Sequence, residues 1–216
     1  MSNKKIKVAV ITSTRAEYGL LKLTLKKILL SKKLKLSLIV TGSHLSPTFG
    51  NTYKQIEEDG FTIDAKIDLL ISSDTPSSIA KSMGVGIISV TQVFQEMKPD
   101  VLLILGDRFE LLAIACAAIP FNIAIAHIAG GEITEGAFDE RIRHALTKIS
   151  HIHFCCAEAY KDNILEMCEE QWRVHNVGHP CLELIDSIEL LSKSEVMKRF
   201  KLDSEKKIIL ATLHTT

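Results

Sequence analysis

Short apolar runs punctuate this chain, and longer amphipathic stretches separate them. A half-exposed strand alternates polar and apolar residues, whereas a strand covered on both faces stays apolar, so the runs predict parallel strands sandwiched by helices. The predicted strands are Ile6 to Ile11, Leu36 to Thr41, Phe61 to Ile67, Val101 to Leu105, Ile123 to His127, Ile152 to Cys155 and Val174 to Val177. Between them, Leu20 to Leu30 repeats apolar residues three and four apart with lysines opposite, and Pro76-Ser77-Ser78 opens a long helix towards Met97. Lys98-Pro99-Asp100 stops that helix and launches the next strand. Gly84 and Gly86 fall inside the helix and predict close packing, not a nucleotide loop. Strand, helix, strand units in series imply right-handed crossovers, so the fold class is α/β, a Rossmann-like doubly wound parallel sheet.

A chain of 216 residues makes one such domain and the beginning of another. After Gly178-His179-Pro180, helical patterns at Leu182 to Leu191 and Ser194 to Phe200 lead into Lys207 to His214, which reads as a fresh buried strand. The expected division is residues 1–180 as the first domain, and residues 181–216 as linker helices with the first strand of a second domain that is cut off.

Lys+Arg and Asp+Glu balance at 26 each, so no long-range field recruits a polyanion and no nucleic-acid partner is expected. MSNKKIKVAVIT lacks a small-residue cleavage site and reads as a first strand rather than a signal peptide. No apolar run reaches the roughly 18 residues of a membrane span, so no membrane partner is expected. The 5 cysteines lack the spacing of a secreted disulfide framework, and a reducing cytoplasm fits them. His151, His153 and Cys155 would share one strand face as metal donors. Their spacing matches no closed zinc pattern, and the competing reading is a buried strand whose histidines bond locally; no metal and no cofactor is expected.

In a doubly wound sheet, ligands bind beyond the carboxyl ends of the strands. There the chain carries Thr12-Ser13-Thr14-Arg15-Ala16-Glu17-Tyr18-Gly19, Thr41-Gly42-Ser43-His44, Gly106-Asp107-Arg108 and His127-Ile128-Ala129-Gly130-Gly131-Glu132. The first loop has neither G-x-G-x-x-G nor G-K-[ST], which argues against NAD and against an NTPase. Its hydroxyls, helix N–H groups and Arg15 suit a phosphate, although a plain capped helix with a surface arginine explains the same residues. Asp107 is a candidate acid or, alternatively, the cap of the helix beginning near Phe109. Glu132 follows two glycines that permit close approach. Asp139 and Arg143 are candidates too, against the reading of an exposed i,i+4 ion pair worth a few tenths of a kcal/mol. Three carboxylates with arginines suit acid/base chemistry, because shared surroundings separate their pKa values.

Several blocks in order resemble one family. They are Thr14-Arg15-Ala16-Glu17-Tyr18, Thr41 to Leu45 with Phe49 to Tyr53, Ser72-Ser73-Asp74-Thr75-Pro76, Gly106 to Glu110, Gly130 to Glu140 and Ile142 to Lys148. The chain resembles the hydrolysing UDP-N-acetylglucosamine 2-epimerases of sialic acid and related nonulosonate biosynthesis. That resemblance implies the N-terminal half of a glycosyltransferase-B type two-domain fold, with the active site in the cleft between the halves. It implies conversion of UDP-N-acetylglucosamine and water to N-acetylmannosamine and UDP, by elimination to a glycal and hydration. It assigns Asp107, Glu132 and Asp139 as catalytic carboxylates, Arg15 and Arg108 to the UDP phosphates, His214 to the leaving pyrophosphate, and Gly19, His44, Arg143 and His144 to further substrate contacts. The partner is a UDP-sugar, and the full-length form is expected to be a homo-oligomer, dimer or tetramer, in the cytoplasm.

Ala129 departs from the pattern, standing where many relatives carry a polar residue before the two glycines. If Thr216 ends the natural chain, little or no turnover is expected, because the family continues into a uridine-binding half. Three rivals stand beside this reading: a UDP-N,N'-diacetylbacillosamine 2-epimerase of legionaminic acid biosynthesis, an inert truncated domain, and a glycosyl transferase on the same fold. The last has no need of three carboxylates together.

Overall fold

A computed structural model describes residues 4–71, 75–187, 189–203 and 205–212. Strands β1 (Ile6–Thr12), β2 (Leu34–Thr41), β3 (Ala65–Ile67), β4 (Val101–Leu105), β5 (Ala124–Ile128), β6 (Ile152–Cys155) and β7 (Val174–Asn176) form one sheet. Its order is β3-β2-β1-β4-β5-β6-β7, and every pair of neighbours is parallel. The helices are α1 (Arg15–Leu30), α2 (Tyr53–Glu58), α3 (Pro76–Met97), α4 (Phe109–Ala118), α5 (Asp139–Ile149), α6 (Glu158–Glu166), α7 (Pro180–Ser187) and α8 (Lys193–Arg199). The chain reverses direction across the sheet between β1 and β4. That switch point opens a crevice at the carboxyl ends of the strands.

The continuous apolar runs divide by parity. Ala9, Ile11, Leu102, Ile104 and Ile125 join the core that α3, α4 and α5 cover. Val8, Val10, Leu103, Leu105, Ala126 and Ile128 join the core that α1 closes through Leu21, Leu25 and Ile28. Both faces of these strands are therefore buried, and unbroken apolar sequence is the result. After Glu110 in its first turn, helix α4 is apolar all round because it lies between α3 and α5, with Ala113, Ile114 and Ala115 wholly buried. Thr75 caps α3 by accepting from the Ser78 N–H with Pro76 in the first turn, and Lys98 ends the helix in the left-handed region at φ 48°. Gly86 packs tightly, since a Cβ there would lie 3.2 Å from Leu69 Cδ2. Gly84 has nothing within 4 Å and makes no close contact.

The chain divides into two compact units, Met1–Leu184 and Ile185–Thr216. In the second, α8 starts in a capping box in which Ser192 accepts from the Glu195 N–H and Glu195 accepts from the Ser192 N–H. The strand expected over Lys207 to His214 is not formed across 207–212, which is exposed and irregular. A strand exists only through bonds to a neighbour, and among the described residues this segment has none. His214 and the block Ser72 to Asp74 lie outside the described residues. No helix among the described residues is long and apolar enough to cross a membrane.

Candidate active site

The site is built where β4 and β5 end and α5 begins. Gly106 leaves β4 in the left-handed region, φ +87°, and turns Asp107 towards α5. Arg143, one turn into α5 and only 7% exposed, points its guanidinium between two acids. Its Nη2 donates to Asp107 Oδ2, while Nη1 donates to Glu132 Oε2 at 2.7 Å and to the Ala129 carbonyl at 3.1 Å. The planar fork of arginine allows one cation to hold two carboxylates and the loop between them. Asp139 begins the same helix, and its carboxylate makes no hydrogen bond among the described residues. Burial, and then the charge of Asp107, hold its carboxyl above the usual carboxylate range, with Arg108 and Arg143 pulling the other way.

Two alternatives from the sequence are thereby corrected. Asp107 is no helix cap, because α4 is capped at Arg108 with no side-chain bond and the Asp107 carboxylate turns to Arg143. Arg143 is no exposed partner of Asp139. Carboxylates delivered by β4 and β5 reach its buried head instead.

The β5 loop is shaped by close backbone approach. A Cβ on Gly131, φ +75°, would collide with the Tyr160 carbonyl oxygen, and one on Gly130 would stand 2.9 Å from both His127 Nδ1 and Thr147 Oγ1. Asn163 Nδ2 donates to the Gly131 carbonyl at 2.7 Å. Ala129 occupies the left-handed region, φ 63°, a strained state for a residue with a side chain and one found at functional loops. His127 Nε2 donates to the Gly106 carbonyl at 2.7 Å, tying the β5 and β4 loops together, and burial lowers its pKa to about 4, so it stays neutral.

Beside this cluster a second pair of acids supports the loop after β1. Thr14 caps α1 in a capping box with Glu17, whose carboxylate accepts from the Ser13 N–H at 2.6 Å. Burial first, and then Glu110, raise Glu17 to about 7. Glu110, wholly buried, accepts Arg108 Nε at 3.1 Å and Nη2 at 2.9 Å. Arg108 is thus partly neutralised, whereas Arg15 is exposed and makes no hydrogen bond or ion pair among the described residues. A cavity of about 700 Å³ opens between Thr14, Ser43, Asp68 and Arg108, a size suited to a small ligand; the three carboxylates lie outside its lining.

The remaining expected residues are placed as follows. Gly19 lies in α1 with open space around it. His44 is wholly buried, with Nε2 3.0 Å from Thr12 Oγ1 and Nδ1 2.7 Å from Thr52 Oγ1. His144 Nε2 bonds to Glu140 Oε1 at 2.8 Å. His151 Nδ1 accepts from the Ile125 N–H and the Cys155 thiol donates to the His175 carbonyl, whereas the buried His153 lies 3.4 Å from Glu169 with neither ring nitrogen in a well-formed hydrogen bond. Among the described residues, the donors close enough to share a cation are instead Glu132, Cys156 and His179. Glu17, Glu110 and His127 lie within the loops and blocks that the sequence singles out, but no role is assigned to them there, and only the fold shows that they build the site.

Fold and site together define a Rossmann-like α/β domain with an acidic cluster at the strand ends. Residues 26–216 match the family UDP-N-acetylglucosamine 2-epimerase, and the chain belongs to that family. It is 40% identical over 210 residues to the GDP/UDP-N,N'-diacetylbacillosamine 2-epimerase (hydrolyzing) of Campylobacter jejuni, covering 97% of this chain and 54% of that protein. It is 40% identical over 208 residues to the UDP-N,N'-diacetylbacillosamine 2-epimerase (hydrolyzing) of Legionella pneumophila, covering 96% and 55%. The crystal structure of UDP-GlcNAc 2-epimerase from Neisseria meningitidis bound to UDP-GlcNAc shares the fold, with a TM-score of 0.73 at 20% identity, over 91% of this chain and 52% of that one. The chain spans about half the length of the curated relatives it matches.

Proposed function

We propose that this chain is the carboxylate-bearing half of a hydrolysing UDP-sugar 2-epimerase, with UDP-N,N'-diacetylbacillosamine as the first substrate to test. The observation that carries the reading is the Arg143 clamp, which draws Asp107 and Glu132 to one cation beside Asp139. The choice of sugar follows the two relatives at 40% identity. It reverses the order expected from the sequence, in which UDP-N-acetylglucosamine came first. That sugar remains the second reading, favoured by the family description and by the ligand of the Neisseria structure.

In this mechanism the C1–O bond breaks with its electron pair leaving on UDP, and positive charge develops at the sugar ring. The Arg143-held carboxylates face that charge, which a fixed, partly buried site stabilises better than water does. A carboxylate removes the C2 proton; Asp139, whose raised pKa brings it nearer neutrality, suits this step. Water adds hydroxide at C1 of the resulting glycal and a proton returns to C2 on the opposite face. The products are the C2-inverted free sugar and UDP. Arg15 offers the phosphates a free guanidinium, and Arg108 a weaker one because Glu110 offsets its charge. The half of the relatives' length outside this chain, with residues 181–216 leading into it, supplies the uridine site in this reading.

The test compares kcat/KM of the full-length protein carrying these residues on the two purified UDP-sugars. Preference for the diacetylated sugar by about tenfold or more is the expected outcome, the low end of what a pocket discriminates between substrates differing in small groups. Preference for UDP-N-acetylglucosamine moves the assignment to the second reading, and release of UDP from neither sugar overturns both.

A further inference from the structure

Parallel strands in register bring their carboxyl ends side by side, about 4.8 Å apart. On β5, β6 and β7 this gathers three unlike donors: Glu132 in the β5 loop, Cys156 directly after β6, and His179 between β7 and α7. One ligand atom from each lies within 4.8 Å of the other two, and all three side chains are half-buried. Glu132 is already anchored through Oε2 to Arg143, while its buried Oε1 makes no hydrogen bond of good geometry and the carboxylate has only the neighbouring Cys156 thiol to draw on. An anchored carboxylate with one weakly engaged oxygen is what a cation needs, since an outer partner holds the ligand while that oxygen binds.

We propose that Glu132, Cys156 and His179 form a binding site for a thiophilic divalent cation of the zinc type, and that an ion held there blocks the carboxylate site. A thiol, an imidazole and a carboxylate together select a borderline-soft ion over magnesium or calcium, which prefer all-oxygen shells. Three protein donors leave the fourth tetrahedral position to water. The Cys156 thiol is protonated beforehand, burial and then the Glu132 charge pushing it up to about 12; the cation replaces that proton, which goes to solvent. His179 Nδ1 accepts the Cys181 N–H at 3.2 Å, a long contact that the ring exchanges for the cation on binding. The location of the site needs nothing beyond the geometry, whereas the block on turnover rests on the proposed role of Glu132.

Cobalt is the probe, because a thiolate ligand gives it an intense charge-transfer absorption in the near ultraviolet. Titrating Co²⁺ into the reduced 216-residue chain should produce this band at one equivalent, with zinc displacing it. Cys156→Ser should abolish the band, His179→Ala should weaken cobalt binding by about tenfold or more, and Cys181→Ser should leave it intact. Circular dichroism of each variant shows that the fold is kept. No band, or a band that survives Cys156→Ser, overturns the site. In the full-length protein, zinc should slow turnover, and Cys156→Ser should keep zinc-free turnover while weakening inhibition by about tenfold or more. Inhibition unchanged in that variant overturns the block. A protein that turns over neither sugar removes the proposed function alone, because the cobalt arm reads the site without catalysis.

Discussion

Glu17 is a carboxylate whose environment opposes its charge. Burial and the neighbouring Glu110 raise it from 4.5 to about 7, more than the Ser13 bonds lower it. Between those values the folded chain keeps a proton that the unfolded chain has released, so stability is fullest below pH 4.5 and falls as pH rises towards 7, by about 3 kcal/mol in total. Glu17→Gln imitates the protonated acid. In urea unfolding, the wild type should therefore lose stability relative to the variant across that window, and parallel profiles would contradict the account. Arg143 poses the reverse case, a cation that two acids need. Arg143→Ala leaves Asp107 and Glu132 facing each other unpaired, at a cost of about 2–3 kcal/mol, somewhat below that of a wholly buried pair because both acids are 21% exposed. Urea midpoints measure it, and a loss under about 0.5 kcal/mol would show that solvent already screens the pair. These two residues mark the limit of sequence reading. Asp107 and Glu132 were legible because they follow apolar strands. Glu17 and Glu110 read as ordinary first-turn acids, and Arg143 is a candidate whose carboxylate partners sequence does not reveal, since they stand 36 and 11 positions away and only the fold delivers them.

At the scale of elements, hydrophobic continuity carried most of the information. β4, β6 and α3 fall at the expected bounds, because two covered faces leave β4 without a polar residue to blur it, β6 holds a single buried histidine, and Thr75-Pro76 and Lys98-Pro99 punctuate the helix. β3 is only Ala65–Ile67, shorter than expected, since an edge strand pairs on one side and Phe61 packs into the α1 core instead. α2 was not foreseen: six residues show too little periodicity to register. The paired glycines of α3 make a sharper test of packing against propensity. Gly84→Ala fills open space in an exposed helix and should stabilise by about 1 kcal/mol, whereas Gly86→Ala presses on Leu69 and should gain less or lose. Equal effects on the urea midpoint would mean that α3 does not lean on Leu69 as described.

At the scale of the molecule, the sheet order places the candidate acids Asp107 and Glu132 beyond the carboxyl ends of neighbouring strands, with Asp139 at the start of the helix that follows. The doubly wound architecture was legible from the run of strands and helices. Of the second domain expected from residue 181 onward, residues 207–212 form no strand and His214 lies outside the described residues. The central claim is that Asp107, Glu132 and Asp139 together move a proton at C2 of a UDP-linked sugar. It is tested by running the full-length protein in heavy water and reading deuterium at C2 of the released sugar by NMR, for wild type and for Asp107→Asn, Glu132→Gln and Asp139→Asn. The account predicts one deuterium at C2 with inverted configuration, formed at least about a hundredfold more slowly in each variant. Product without deuterium at C2, or variants as fast as wild type, would contradict it.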